Sequence, residues 1–124
     1  MTQEEKDLLL KDLCARLPYG VKCKVWYNDK SLNIKCTGID FYTNTVNLDI
    51  PEDDNAKVYV DNIKPYLFPL SSMTPEQRTS YNFLSNSGHR SFTGLIDFYH
   101  KNHLDWRGLI PKGLAIDCTN LNIY

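Results

Sequence analysis

The fold is decided by residues 21–36, which have the sequence VKCKVWYNDKSLNIKC. Val21, Cys23 and Val25 alternate with lysine and tryptophan side chains, and this period of two is typical of a strand with one buried face. Residues 28–31, Asn-Asp-Lys-Ser, have the composition of a tight turn, and the alternation resumes after them. The stretch therefore predicts a β-hairpin, and the rest of the chain is interpreted around it.

Further strands are predicted on the C-terminal side of this hairpin. Residues 32–42 form its second strand, and Gly38 interrupts the alternation, which indicates a bulge or a sharp bend. Residues 46–50 and 57–60 predict two more short strands. The segment 61–73 holds two prolines among large apolar residues, so we expect an extended connector that wraps the sheet. Four strands on tight turns predict a curled antiparallel sheet or a small SH3-like barrel.

Helices are predicted on both sides of the sheet. Residues 2–17 have one apolar face and begin with a capping box from Thr2 to Glu5. Residues 74–77, Thr-Pro-Glu-Gln, begin a second helix in the same way, which should run to about Ser85. A third helix is expected from about Ser91, and the apolar pairs and triplets at 109–110 and 114–116 predict short strands. The expected fold is α+β, in one compact domain over residues 1–124.

The bulk composition excludes few functions. The chain has 124 residues and a net charge of -1, so no overall field attracts it to nucleic acid or to an anionic membrane, although a local basic patch is compatible with this balance. The acidic first residues lack the apolar core of a signal peptide, no stretch is long enough to span a membrane, and the four cysteines lack CxxC spacing. These features predict a cytoplasmic protein with free thiols.

The C-terminal tract 105–117 is the first candidate site. It pairs cations with glycines, whose backbone can approach an anion closely, and it has aromatic rings nearby that could stack on a base. The predicted ligand is small, anionic and nucleotide-like. The candidate ligand-binding residues are Trp106, Arg107, Gly108, Lys112, Gly113 and Tyr124. The alternative is that both glycines belong to turns and both cations are solvated.

A second candidate surface lies on the first hairpin, where Lys22 and Lys24 are interleaved with Trp26. Basic residues interleaved with aromatic residues can bind a single-stranded nucleic-acid backbone. The same surface could bind a host protein, and the alternative to both is a solvated strand face. The high aromatic content is also compatible with a homo-oligomer.

Catalytic chemistry has weaker support. His100 and His103 are three residues apart on a predicted helix and, with Asp97 or Asp105, could bind a metal or act in catalysis. Cys118 beside Asp117 could be a nucleophile, but no family signature surrounds it, and neither 71–72 nor 87–89 forms a GxSxG elbow. Dinucleotide and P-loop motifs are absent from the sequence. We therefore expect no metal and no cofactor, and a binding protein rather than an enzyme.

Three phrases carry a resemblance to a known family: LLLKDLCARLPYGV at 8–21, KPYLFPLSSMT at 64–74 and DWRGLIPKGLAID at 105–117. The chain resembles small proteins encoded by phages and mobile elements of gut Bacteroidetes, nearly end to end. The resemblance implies a setting and carries over no catalytic residue. In that setting, small proteins are often inhibitors of host defence, sponges for signalling nucleotides or adaptors of nucleic-acid machinery. The leading hypothesis is therefore an anti-defence protein that sequesters a nucleotide-like ligand, and the runner-up is an adaptor that binds nucleic acid or a host protein.

Overall fold

The computed structural model describes residues 1–86 and 92–124. Its elements follow the order α1 (Gln3–Arg16), β1 (Lys22–Tyr27), β2 (Lys30–Asp40), β3 (Thr45–Leu48), β4 (Lys57–Tyr59), β5 (Ile63–Leu67), α2 (Pro75–Ser85), α3 (Phe92–Lys101) and β6 (Ile116–Asp117). Short 3-10 turns occupy Leu17–Tyr19, Val60–Asn62 and Leu70–Ser72. The fold is α+β, with an N-terminal helix, one mixed sheet and two further helices.

The sheet corrects two of the predictions. Its strand order is β4-β3-β2-β1-β5-β6, so it has six strands where the sequence predicted four. It is an open sheet and does not close into an SH3-like barrel. All pairs are antiparallel except β5 with β6, which are parallel. One extra strand is β5, which takes up five residues of the predicted connector 61–73 and pairs with β1 through Cys23 and Pro65; the other is β6, which pairs with β5.

The first hairpin forms as the sequence predicts. Asn28 and Asp29 have φ of 51° and 63°, which is the left-handed conformation that a two-residue turn of type I′ requires. Gly38 lies at a shift of register between β2 and β3, so the predicted bulge is confirmed. A Cβ at Gly38 would lie 3.0 Å from Asn47 Nδ2, and this close approach favours glycine there.

Capping boxes start both predicted helices. Thr2 Oγ1 accepts the Glu5 N–H at 3.1 Å, and Glu5 Oε1 accepts the Thr2 N–H at 2.9 Å. Thr74 and Gln77 make the same reciprocal pair at the start of α2. The predicted end of that helix at 86–88 and the predicted start of the third at Ser91 lie partly or wholly outside the described residues.

The core lies between α1 and the inner face of the sheet. α1 contributes Leu9, Leu10 and Leu13, all fully buried, and β1 contributes the buried side chains of the alternating pattern predicted for it. Each such side chain contributes roughly 1.5–3 kcal/mol through burial. Because β1 buries every second side chain inward, Lys22, Lys24 and Trp26 face outward on the opposite side of the sheet.

The C-terminal tract is irregular. The predicted strand at 109–110 is wrong, since this segment forms turns, and the predicted strand at 114–116 is reduced to Ile116–Asp117. Leu109 and Leu114 still enter the core, because both side chains are buried against it. The tract therefore packs by its apolar side chains while its backbone turns repeatedly.

Candidate functional site

A buried group of charges joins α1 to the C-terminal tract. Asp12 and Arg16 are both fully buried, and Arg16 Nε donates to Asp12 Oδ2 at 2.8 Å. Arg16 Nη2 also donates to the Leu104 carbonyl oxygen at 2.6 Å. Arg107 Nε lies 3.2 Å from Asp12 Oδ1, an ion pair that is not aligned as a hydrogen bond. One buried carboxylate thus pairs with two guanidinium groups, and the excess positive charge is on the partly exposed Arg107 side of the group.

Trp106 and Arg107 lie together, as the adjacent positions suggested, but their contacts are internal. Arg107 Cζ is 4.3 Å from the centroid of the Trp106 ring, a cation–π contact, and the same ring stacks on Tyr99 with centroids 5.9 Å apart. Trp106 Nε1 donates to His100 Nε2 at 3.0 Å. The ring and the guanidinium that were expected to hold a nucleotide therefore hold protein groups.

The backbone after Trp106 is fixed by Asp105. Its two carboxylate oxygens accept the N–H groups of Leu109 and Ile110, each at 2.8 Å. Gly108 has φ of 75° and occupies the turn that this arrangement creates. The amides nearest Gly108 on its C-terminal side thus already have an anionic acceptor, namely Asp105.

Lys112, Gly113 and Tyr124 lie in other neighbourhoods. Lys112 and Gly113 line a cavity with Glu5 and Asp61, and the charge of Lys112 contributes to a lowered pKa of Glu5, whose main cause is the hydrogen bond with the Thr2 backbone. The Tyr124 hydroxyl accepts the Lys22 N–H at 2.8 Å and donates to the Tyr66 carbonyl at 3.0 Å. The structure divides the six predicted residues among three places. Anion binding by this tract stays a prediction.

Burial changes the pKa values of His100, His103 and Cys118. Burial, followed by the charge of Arg16, lowers the pKa of His100, and the same two causes lower the pKa of His103 to about 4. His103 stacks on Tyr124 with ring centroids 3.7 Å apart. Burial raises the pKa of the Cys118 thiol to about 11, so the thiolate is scarce at neutral pH. Within residues 1–86 and 92–124, no group of three or more His, Cys, Asp or Glu side chains could hold a metal ion.

The outer face of β1, β2 and β5 carries a different arrangement, which we call the lysine face. Its lysines form two cross-strand pairs, since Lys22 lies opposite Lys35 and Lys24 lies opposite Lys64. In the described part of the chain, no carboxylate lies within 4.0 Å of any of these four ammonium groups. Carboxylates lie farther off at both ends of the face, since Asp49 lines a cavity with Lys22 and Lys35, and Glu5 and Asp61 line another with Lys64. Like charges directly opposite each other on a sheet destabilise it, so this face retains an unneutralised field.

Trp26 adjoins the lysine face. Its side chain is 41% exposed, and Lys24 Nζ lies 5.4 Å from the centroid of its ring. At the opposite end of the face, Lys22 Nζ donates to the Ile123 carbonyl at 2.9 Å, so the last residues border the face. The three residues predicted on the hairpin surface, Lys22, Lys24 and Trp26, therefore share one side of the sheet, and Lys35 and Lys64 enlarge it.

Beyond Trp26 the lysine face ends in a cavity of about 440 Å³, which we call the aromatic cavity. Its walls include three aromatic rings, and its other lining residues are two asparagines, two threonines, one lysine and one valine. The lining residues are Trp26, Tyr27, Asn28, Thr43, Thr45, Lys57, Val58, Tyr59 and Asn62. Sequence reasoning missed Lys57, Tyr59 and Asn62, although the alternation Lys57-Val58-Tyr59 already indicated that the first and third side chains of β4 share a face.

A third cavity, of about 730 Å³, lies between α2 and α3 and is lined by Gln77, Phe83, Phe98 and Lys101 among others. Phe83 is 73% exposed in the described structure. The serine, glycine and histidine at 87–89 lie outside the described residues. We assign no site to it.

With this geometry described, the chain was compared with known proteins. No family model, no curated protein and no solved structure matches it. Among the described residues, no helix is long and apolar enough to cross a membrane. The resemblance to phage-encoded proteins therefore stays a prediction, and the functional argument depends on the residues alone.

Proposed function

We propose that this chain is a binding protein for single-stranded nucleic acid and that the lysine face is its contact surface. One observation carries the proposal: four lysines stand in opposed pairs on one side of the sheet, without carboxylate partners in the described structure, beside an exposed tryptophan. A phosphate backbone would relieve the repulsion within each pair. The proposed binding surface is thus the hairpin surface and not the C-terminal tract, which was the first candidate site from the sequence.

The form of the nucleic acid follows from the aromatic group. A base can stack on Trp26 only if it is unpaired, because in a duplex its faces are covered by neighbouring bases. Overall net charge does not favour binding, since the chain carries -1, so the interaction depends on the local field of the lysine face. An anionic membrane would also attract the lysines and accept a tryptophan at its interface, so the test below compares the oligonucleotide with vesicles of anionic lipid.

The remaining expectations stay proposals beside this one. A cytoplasmic setting in a phage or mobile element fits such an activity. Sequestration of a nucleotide at Trp106 and Arg107 is a separate hypothesis, which native mass spectrometry of the purified protein would test through a co-purifying mass of nucleotide size.

The test is the salt dependence of binding to a fluorescent oligothymidylate of about 15 nucleotides, measured by anisotropy. Four phosphate contacts predict that log Kd rises with log salt with a slope of about 2.8 between about 50 and 200 mM salt. The double variant Lys24→Gln/Lys64→Gln should bind more weakly at the lowest salt, and its slope should fall by about 1.4 because two contacts are lost.

A matched control makes the same change of net charge elsewhere. Lys11→Gln/Lys101→Gln removes two exposed lysines from helices and should leave both affinity and slope unchanged. Equal losses in the two double variants would show that binding does not involve the lysine face. No binding at about 50 mM salt, or equal binding to vesicles of anionic lipid, would overturn the nucleic-acid proposal.

A further inference from the structure

We propose that the aromatic cavity is a subsite for one nucleobase of the strand that crosses the lysine face. This inference rests on the proposed function and deepens it, because it names the part of the ligand that the cavity recognises. The volume of about 440 Å³ lies within the range of small-ligand sites. The chemistry of the cavity lining and the position of the cavity both support a nucleobase as its occupant.

The chemistry of the lining fits a flat ring with polar edges. Trp26 and Tyr59 supply exposed aromatic faces, with Tyr59 64% exposed, and base stacking on such faces tolerates any base. Asn28 and Asn62 supply amide groups, each of which can both donate to and accept from a base edge. Lys57 adds a cation at the same cavity, where a phosphate would accompany the base.

The charges argue against a cationic occupant. Aromatic cages do bind methylated lysine, and they do so through the negative faces of their rings. Here Lys24 already lies over the Trp26 ring, and Lys57 lines the cavity. The nearby carboxylate of Asp53 accepts a hydrogen bond from the Tyr27 hydroxyl at 3.0 Å, but Asp53 does not line the cavity. A cationic ligand would be repelled by both ammonium groups, whereas an anionic nucleotide would be attracted to them.

The position joins the cavity to the lysine face. Trp26 follows Lys24 by two residues on β1, on the same outward side, so their Cα atoms are about 7 Å apart. Asn62 precedes Lys64 by two residues, just before β5 begins, and lines the cavity at this edge. A strand whose phosphates lie against Lys24 and Lys64 therefore passes the mouth of the cavity with its next nucleotide.

The experiment compares two ligands with the same phosphates. Wild-type protein is titrated with an oligothymidylate of about five nucleotides and with an abasic strand of equal length, both at about 50 mM salt. We expect the base-bearing strand to bind roughly 5- to 150-fold more tightly, which corresponds to about 1–3 kcal/mol for one stacked base. Tyr59→Ala should remove most of this preference while leaving the affinity for the abasic strand unchanged.

Tyr42→Ala is the matched control, because Tyr42 is 97% exposed and lies outside the cavity lining. It should retain the full preference. Equal binding of both strands by wild-type protein, with the salt dependence intact, would overturn the base subsite and base stacking on Trp26, while the phosphate contact of the lysine face would stand. An equal effect of Tyr42→Ala and Tyr59→Ala would also overturn it. Failure of both strands to bind would overturn the proposed function itself and the subsite with it.

Discussion

Two pairs of a cation and a tryptophan show how differently one motif can be used in a single chain. Arg107 lies 4.3 Å from the Trp106 ring, and Lys24 lies 5.4 Å from the Trp26 ring. Arg107 also has Asp12 as an ion-pair partner, and Trp106 donates to His100. Lys24 faces Lys64 across the sheet and Trp26 is exposed. The first pair stabilises the contact between α1 and the C-terminal tract, and the second leaves a positive charge and an exposed ring available to a ligand.

The two pairs differ in the group that faces the cation besides the tryptophan: a carboxylate for Arg107 and another lysine for Lys24. The Arg107 side chain is 21% exposed, and its ion-pair partner Asp12, from a distant helix, is fully buried; this carboxylate needs cations because an isolated charge away from water is costly. A lysine on a sheet face reaches water and needs no partner, so repulsion across the strands is tolerated. The comparison predicts that removing charge weakens the first region and strengthens the second.

The largest effect is expected for Asp12→Asn. This change leaves Arg16 and Arg107 without a counter-charge, and loss of one member of a buried ion pair costs about 3–5 kcal/mol of unfolding free energy. Urea unfolding followed by circular dichroism measures the change. Asp7→Asn on the exposed side of the same helix is the control and should stay within about 0.5 kcal/mol of wild type. A loss under about 1 kcal/mol for Asp12→Asn would contradict the buried network.

An intermediate effect is expected from pH at the edge of the same region. The pKa of His103 is about 4 in the folded protein against an ordinary value of 6.5, so folding favours its neutral form. Its contribution is complete above pH 6.5 and is lost as the pH falls towards 4, by on the order of 1–3 kcal/mol. His103→Asn suits the observed φ of 56°, because asparagine tolerates this conformation.

The measurement is the unfolding free energy of wild type and His103→Asn at several pH values across that window. Carboxylates titrate in both proteins, so the difference between the two curves isolates the histidine. Wild type should lose more stability than the variant as the pH falls from 6.5 to 4. Parallel curves would show that His103 titrates alike in the folded and unfolded chains.

The smallest effect is expected on the lysine face. Lys64→Gln removes one member of the like-charged pair with Lys24, so we expect a gain of about 0.2–1 kcal/mol in unfolding free energy at low salt. The gain should shrink as salt screens the repulsion. Thermal unfolding at two salt concentrations measures both effects, and Lys11→Gln serves as the exposed control. A destabilised Lys64→Gln protein would mean that Lys64 has a favourable partner.

Local signals in the sequence predicted much of the fold. The capping boxes at Thr2 and Thr74, the turn at 28–29 and the bulge at Gly38 are confirmed, because each depends on residues close together in the chain. β5 was missed because Pro65 argued against a strand. The structure tolerates this proline at a point where β6 has not yet begun, since β6 pairs only from Tyr66 onward. The alternation of Ile63, Pro65 and Leu67, all buried, was the available signal.

Only part of the candidate site could be predicted from the sequence. Lys22, Lys24 and Trp26 lie on one strand, so their shared side followed from a period of two. Lys35 lies on the second strand of the predicted hairpin, whereas Lys64 joins the face through the pairing of β5 with β1, which the sequence did not specify. Conversely, the pairing of Arg107 with Asp12 could not be inferred, because the residues are far apart in the chain and nothing local links them.

The hydrogen bond from Arg16 to the Leu104 carbonyl spans 88 residues of sequence. Such a contact can form only after the intervening sheet and helices have brought the two ends of the chain together, and closing long loops slows folding. We therefore expect the junction of α1 with the C-terminal tract to form late in folding, and the first hairpin, with its two-residue turn, to form early. The surface proposed for binding would then be shaped before the contacts that lock the molecule are made.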